Sequence, residues 1–302
     1  MAFIFSSFRS PKEAEEKNVR QQEETAQNPP SLGQSSGTTV RGEVDSFKAW
    51  TVVLGAFIAH LVVLGMLYAF GIFVVPLSEE LQVSRAEVSL VGTINIACFY
   101  VAGIFSGPIA DRFGVRPIMT TGAVTWVVGC FLASITNALW QQILTQGVLI
   151  GLGTSFVYWP AISSIPQWFD KWRGTGVGMA ALGAGIGNLI FALAGESIIT
   201  GLGWRNTLRV MGGVGGFLLI FSVLLVERRV PPRKAGGLFD VAKTLIKLKS
   251  YRWFLMSTFL FQWGFFVPFV YIAAYANDLG ISSSLQGLWY VRKPSLQCIF
   301  IN

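Results

Sequence analysis

The sequence predicts an all-α polytopic membrane protein, and three observations carry that prediction. Only 13% of its 302 residues are charged, whereas soluble globular domains average about 25%. Long uncharged stretches separate the charged residues along the chain. Lys and Arg concentrate in every second segment between these stretches. The mean hydropathy of +0.55 agrees. This composition argues against a soluble enzyme, and one His with three Cys excludes a multi-His/Cys metal centre and a disulfide framework.

The gaps between charged residues predict seven membrane spans. They cover residues 49–78, 88–110, 117–169, 174–195, 210–226 and 253–277. A helix needs about 20 residues to cross the hydrocarbon core, so the gap 117–169 holds two spans, divided at Thr136 and Asn137. Because backbone groups in lipid must be paired internally, all spans are expected to be helices. Spans one to seven are predicted at 50–74, 88–110, 117–136, 139–162, 174–198, 207–227 and 252–276.

Lysine and arginine predict the orientation. With the N-terminus in the cytoplasm, inner segments hold 18 of these residues and outer loops hold 3, and the last two lie in the tail after residue 278. The positive-inside rule therefore favours a cytoplasmic N-terminus. We attribute the net charge of +7 to this topology, so membrane lipid and not nucleic acid is the expected partner. The same bias disfavours a seven-helix receptor, whose N-terminus lies outside.

Composition also divides the chain. Residues 1–48 are expected to be a disordered cytoplasmic tail, 49–227 a six-helix bundle, 228–251 a basic cytoplasmic linker and 252–277 the first helix of a second bundle. Residues 278–302 match no expected eighth helix. Codons for the segment Val291-Arg292-Lys293 could resemble a 5′ splice site that was read through into an intron, so this tail is expected to be aberrant or truncated.

A glycine- and charge-bearing motif joins spans two and three. It reads Gly107-Pro-Ile-Ala-Asp111-Arg112-Phe-Gly114-Val-Arg116. It resembles the loop signature of the major facilitator superfamily, except that Pro117 stands where a final basic residue is usual. The resemblance implies a gate: glycines for close approach and a tight turn, Asp111 facing a helix N-terminus or an Arg, and arginines that pair locally and reach lipid headgroups. The alternative, a generic positive-inside turn, does not explain the Gly and Asp spacing.

A second motif opens span five. It resembles the fifth-helix signature of the monocarboxylate transporter family at seven positions: Phe169, Lys171, Arg173, Gly178, Ala180, Gly183 and Gly187. Asp45, Ala49 and Trp50 fit part of the family's first-helix motif. The resemblance covers about residues 45–280, in the form typical of fungal and bacterial relatives. It implies the six-helix N-terminal bundle of the major facilitator fold plus a seventh helix, and a secondary transporter.

Polar residues inside the spans are candidates for the substrate and proton path, because burying them in lipid is unfavourable. By resemblance, spans one, four and seven line the central cavity. His60 is the candidate proton site, since its ordinary pKa lies near neutrality. The other candidates are Tyr68, Asn95, Asn188, Gln262 and Trp263, with Tyr158 and Trp159 at the end of span four. Each has an alternative interpretation as a packed, hydrogen-bonded structural residue.

The function expected from the resemblance is movement of a small, monocarboxylate-like organic anion by alternating access, with a proton as a possible co-substrate. No phosphate-binding loop is present, so neither ATP nor another cofactor is expected. The first-helix Lys of animal relatives is missing from the segment that begins at Tyr68. A chain of seven spans lacks the second bundle against which the first would move, so a transport-inactive half-transporter is an alternative. An intramembrane enzyme is disfavoured by the single His. The plasma membrane is the family's default location, and self-association is left open.

Overall fold

The computed structural model describes residues 43–230 and 246–261, and all structural statements below concern these residues. Within them the chain forms α1 (Phe47–Tyr68), α2 (Gly71–Leu81), α3 (Arg85–Phe113), α4 (Val115–Ala133), α5 (Leu139–Gln142), a π-helix (Ile143–Leu149), α6 (Ile150–Ser164), a 3-10 turn (Ile165–Gln167) and α7 (Arg173–Leu225). Residues 249–261 are also helical. No strand occurs in the described ranges. The rest of span seven, the linker from 231 to 245 and both tails lie outside them.

Five helices are long and apolar enough to cross a membrane: Phe47–Tyr68, Arg85–Phe113, Val115–Ala133, Leu139–Gln167 and Arg173–Leu225. The last has 53 residues and is interrupted at Gly203, where φ is 79° and ψ is 161°. Its two arms pack together, since a Cβ at Gly195 would lie 2.5 Å from Met211 Cε. The prediction of an all-α, multi-pass membrane protein is therefore confirmed, and the helices coincide with predicted spans one to six.

The structure corrects two predicted span boundaries. Span one is α1 followed by α2, which carries the helix to Leu81, beyond the predicted end at 74. A loop was expected between spans five and six over 199–206, and a single residue, Gly203, replaces it. Only this residue leaves the helical conformation, and its positive φ is one that glycine adopts without a steric penalty. Spans five and six are thus a helical hairpin without a connecting loop.

Glycines bring span one and span five into backbone contact. A Cβ added at Gly183 would collide with the carbonyl oxygen of Phe57, and one at Gly187 with that of Leu61. From the other side, a Cβ at Gly65 would lie 2.6 Å from the carbonyl carbon of Gly187. Small residues allow this approach, in which dispersion contacts hold membrane helices together. Two of the motif glycines, Gly183 and Gly187, therefore have a packing role.

The other motif glycines differ. Among the described residues, nothing lies within 4 Å of a Cβ built at Gly107 or Gly178. Neither glycine makes the close helix approach that was expected of Gly107. Gly114 does form the expected tight turn, because its φ of 96° separates α3 from α4.

Candidate functional site

One end of the bundle carries the charged motif residues, and we call it the basic end. It contains the beginnings of spans one, three and five and the ends of spans two, four and six. Here Asp111 forms an ion pair with Arg228, with 2.6 Å between Oδ1 and Nη1. Arg228 follows the last residue of span six by three positions. Asp111 thus faces an Arg, which joins the end of span two to the chain that leaves span six.

Arg116 binds the same end of span six. Its Nη2 donates to the carbonyl of Leu224 at 3.0 Å, and its Nε donates to that of Val226 at 3.3 Å. A cation here satisfies carbonyl groups that the helix leaves unpaired and complements the helix dipole. The expectation that Arg112 and Arg116 pair locally is wrong for Arg116, because its partners lie about a hundred residues away. Arg112 is exposed, and its guanidinium lies over the Phe113 ring at 5.3 Å.

The two partial signatures of the monocarboxylate transporter family contact each other at the basic end. The Asp45 amide donates to the carbonyl of Trp168 at 2.9 Å, and the Lys171 amide donates to Asp45 Oδ2 at 3.4 Å. The rings of Trp50 and Phe169 meet edge to face, 5.1 Å apart. Arg173 Nε closes the turn by donating to the Phe169 carbonyl at 2.6 Å. Residues that are distant in sequence therefore form one contact between the start of span one and the start of span five.

Glu227 and Trp168 complete this end. Lys48 Nζ lies 2.8 Å from Glu227 Oε2 and 5.3 Å from the centre of the Trp168 ring. The indole Nε1 of Trp168 donates to the Glu227 carbonyl at 2.7 Å. We refer to Lys48, Asp111, Arg116, Trp168, Glu227 and Arg228 as the basic-end network. It connects spans one, two, three and four to the residues that follow span six.

A double-mutant cycle on Asp111 and Arg228 should give a coupling free energy of about 1 kcal/mol. The Arg228 side chain is only 17% exposed, so its pairing with Asp111 is partly shielded from water. The measurement is unfolding of the purified Asp111→Asn, Arg228→Gln and double-substituted chains in mixed micelles. The control cycle uses Asp170 and Arg173, whose side chains are 77% and 60% exposed, and should give about 0.3 kcal/mol. Equal couplings would show that the Asp111 pair is an ordinary surface contact.

His60 lies in the middle of span one, in a cluster of aromatic rings. It is 1% exposed, and its ring centroid is 4.6 Å from that of Tyr158 in span four. Tyr158 also contacts Phe99 of span two at 5.3 Å, and Phe99 stacks on Trp159 at 5.7 Å. His60 Nδ1 lies 2.6 Å from the Ala56 carbonyl oxygen, whereas Nε2 is buried without a hydrogen-bond partner among the described residues. The structure thus brings together His60, Tyr158 and Trp159, three of the predicted path residues.

A buried chain of polar side chains runs through spans three, four and two. Thr136 Oγ1 donates to Gln142 Oε1 at 2.7 Å, and Gln142 Nε2 donates to Gln146 Oε1 at 3.0 Å. Asn95 Nδ2 donates to the Gln146 carbonyl at 2.6 Å. Gln146 lies in the π-helix Ile143–Leu149, a form of helix that is rare and frequent at functional sites. We call Thr136, Gln142, Gln146 and Asn95 the amide chain.

Sequence reasoning found only Asn95 of the amide chain. Two glutamines four residues apart within an apolar span were a signal that could have indicated the rest. Of the other predicted path residues, Tyr68 is the last residue of α1 and is 39% exposed, and Asn188 is half-buried beside Gly187. Gln262 and Trp263 lie outside the described residues.

The opposite end of the bundle has its own polar cluster. Arg205 donates from Nε and Nη2 to Glu80 Oε1, at 3.0 and 2.8 Å, and Trp204 Nε1 also donates to the Glu80 carboxylate. Partial desolvation alone would raise the pKa of Glu80, but the bonds from Arg205 and Trp204 outweigh it and hold that pKa below its ordinary value. Arg205 Nη1 further donates to the Ser134 carbonyl at 3.2 Å. This cluster ties α2 to the end of span three and the beginning of span six.

Comparison with known proteins identifies the family. Residues 56–292 match the Major Facilitator Superfamily. The chain is 34% identical over 243 residues to the MFS-type transporter pytF of Aspergillus terreus, covering 79% of this chain and 81% of that protein. It is 29% identical to the MFS-type transporter pynF of Aspergillus niger, covering 78% and 55% of the two chains. It is 27% identical to monocarboxylate transporter 13 of Rattus norvegicus, covering 78% and 56%.

The chain therefore spans little more than half the length of the last two relatives. The matched region takes in spans two to six and most of span one, including both the Asp111 motif and the span-five motif. The match to a family of membrane transporters agrees with the five helices that are long and apolar enough to cross a membrane. The chain belongs to the Major Facilitator Superfamily of transporters and resembles its monocarboxylate-transporter branch.

Proposed function

We propose that this chain takes part in secondary transport of a small, monocarboxylate-like organic anion together with a proton, by alternating access in the plasma membrane. The N-terminus and the basic end face the cytoplasm, because most Lys and Arg residues lie on that side of the spans. The observation that carries the proposal is the buried Nε2 of His60, which has no hydrogen-bond partner in the part of the chain that the structure describes. The resemblance to monocarboxylate transporter 13 supports the choice of solute class.

The hydrogen bond at Nδ1 defines what His60 can do. A carbonyl oxygen only accepts hydrogen bonds, so Nδ1 carries the ring proton and donates a hydrogen bond to the Ala56 carbonyl. The neutral ring therefore keeps a lone pair on Nε2. That atom can take up a proton and then donate it in a hydrogen bond to a carboxylate. An isolated charge inside the bilayer is strongly unfavourable, whereas an imidazolium paired with a carboxylate is neutral overall. The anion and the proton would therefore be bound together, which is the requirement for symport.

The test is uptake of labelled lactate, pyruvate and riboflavin by cells that express the 302-residue chain, with and without an inward proton gradient. We expect the gradient to stimulate uptake of the two carboxylates and not of riboflavin. His60→Gln keeps a polar side chain but cannot be protonated, so gradient-driven uptake should fall at least about tenfold, as expected for the loss of one charged hydrogen bond. Gly213→Ala is the control, because no described residue lies within 4 Å of a Cβ at this exposed position of span six.

Three outcomes would contradict the proposal. Carboxylate uptake that does not depend on the gradient would contradict coupling to a proton. Unchanged uptake by His60→Gln would contradict the role of His60 as the proton site. Uptake of riboflavin alone would contradict the proposal that the transported solutes are monocarboxylate-like anions. A folded chain, present at the cell surface, that moves none of the three solutes would favour the alternative of a transport-inactive half-transporter.

A further inference from the structure

A small cavity lies between spans one, two and four, at the end of the amide chain. It has room for about one water molecule. The residues that line it are Met66, Leu67, Phe70, Gly92, Asn95, Gln146 and Ile150. None of these side chains is charged, so the cavity is not a place for a carboxylate. Its polar groups come from Asn95 and Gln146, and the remainder of the wall is hydrocarbon.

The amide of Asn95 has one orientation that its surroundings allow. Nδ2 donates to the Gln146 carbonyl at 2.6 Å, and the reverse orientation would place two acceptor oxygens against each other. Asn95 Oδ1 is therefore the remaining atom, and it is buried without a partner among the described residues. Asn95 itself is 4% exposed. A buried acceptor that lacks a donor is unfavourable, so this atom requires a donor from outside the described side chains.

The amide chain holds this acceptor in place. Gln146 Oε1 is already the acceptor for Gln142 Nε2, and Gln142 Oε1 is the acceptor for Thr136. Close packing of span four on span two limits backbone adjustment, because a Cβ at Gly151 would lie 2.7 Å from the Asn95 carbonyl oxygen. Asn95 Oδ1 is thus a preformed acceptor in a cavity of the size of one oxygen atom.

We propose that Asn95 Oδ1 accepts a hydrogen bond from a hydroxyl group of the transported anion and so selects hydroxylated acids over their deoxy analogues. The inference rests on the proposed function and adds a second point of recognition to it. The hydroxyl enters the cavity and donates to Asn95 Oδ1, and the rest of the anion lies outside it, because the cavity has room for about one water molecule. A hydroxyl fits better than an ammonium group, because no lining residue offers a carboxylate to balance a positive charge.

The test compares lactate with propionate, which have the same carboxylate and carbon chain and differ by one hydroxyl. The dissociation constant of each acid is measured on the purified chain in detergent, from the fluorescence of its ten tryptophans. Wild type should bind lactate at least about tenfold more tightly, since a site built around a hydroxyl rejects the analogue that leaves its acceptor unpaired. In Asn95→Leu, which has a similar volume and no acceptor, the ratio of the two constants should fall to about one.

A second variant leaves the Asn95 amide in place. A Cβ at Gly92 would lie 2.6 Å from Phe70 Cδ1, so Gly92→Ala must displace the ring that forms one wall of the cavity. We expect it to reduce the preference for lactate, while Gly213→Ala preserves it. The ratio of constants does not depend on the fraction of folded chain, so partial misfolding of a variant does not affect the comparison.

Each outcome has one meaning. A wild-type ratio near one contradicts the hydroxyl subsite but not the proposed transport of monocarboxylates. A tenfold ratio that persists in Asn95→Leu also contradicts it, and indicates that Asn95 binds only a water molecule. If neither acid binds to folded chain, the solute class of the proposed function is wrong, and the subsite is wrong with it.

Discussion

Gly187→Ala is expected to destabilise the chain by about 3 kcal/mol, at the upper end of the usual range for overpacking. The added methyl group would meet the backbone of Leu61, whose carbonyl carbon and Cα would both lie 2.8 Å from it. A backbone cannot rotate away as a side chain can. Spans one and five would have to separate along their length, and dispersion contacts on both sides of Gly187 would weaken together. Titration of the purified chain with sodium dodecyl sulphate, followed by far-UV circular dichroism, measures the change.

The matched control comes from the same motif. Gly178→Ala adds the same methyl group nine residues earlier on span five, where nothing described lies within 4 Å. Its expected effect is close to zero, or a slight stabilisation, because alanine is the better helix former. If the two variants unfold at the same detergent fraction, spans one and five are not in the close contact that the glycines indicate.

Trp168→Ala should destabilise the chain by about 3–5 kcal/mol, the range for truncating a buried aromatic side chain. The indole is fully buried and joins two parts of the basic-end network, since Nε1 bonds the Glu227 carbonyl and Lys48 lies over the ring. Trp168→Phe keeps an aromatic ring at this position and loses the hydrogen bond, so about 1 kcal/mol should be lost. Thermal unfolding monitored with a thiol-reactive dye, which reports exposure of buried Cys130, ranks the chains.

Trp168→Phe should be more stable than Trp168→Ala, and this difference separates the packing of the ring from its hydrogen bond. If Trp168→Phe were as unstable as Trp168→Ala, the hydrogen bond to Glu227 and not the packing of the indole would dominate this end of the bundle. If both were as stable as the wild type, the Trp168 side chain would contribute little to holding the residues after span six.

The spans were predictable because a bilayer imposes one simple requirement, an uncharged helix of about 20 residues. That requirement fixes the middle of a helix and not its end. Span one continues through Ser78 to Leu81, past the first carboxylates, because helical hydrogen bonds continue where the hydrocarbon stops. The turn at Gly203 was missed for a related reason: nothing in the local sequence distinguishes a one-residue reversal from an eight-residue loop.

The candidate site was less predictable, because its contacts join residues far apart in sequence. His60 and Asn95 could be selected as polar residues in apolar spans, and their roles in transport stay predictions. The partner of Asn95 is a backbone carbonyl 51 residues away, and the partners of Arg116 lie 108 and 110 residues away. Such pairs depend on which spans pack together, and one sequence taken alone carries no local signal for that choice.

The attachment of Glu227 and Arg228 has a mechanical consequence. The residues that leave span six are held by Lys48 of span one, Asp111 of span two and Trp168 after span four. A force applied along the chain beyond Val230 is therefore divided among several helices and does not peel span six away from its neighbours.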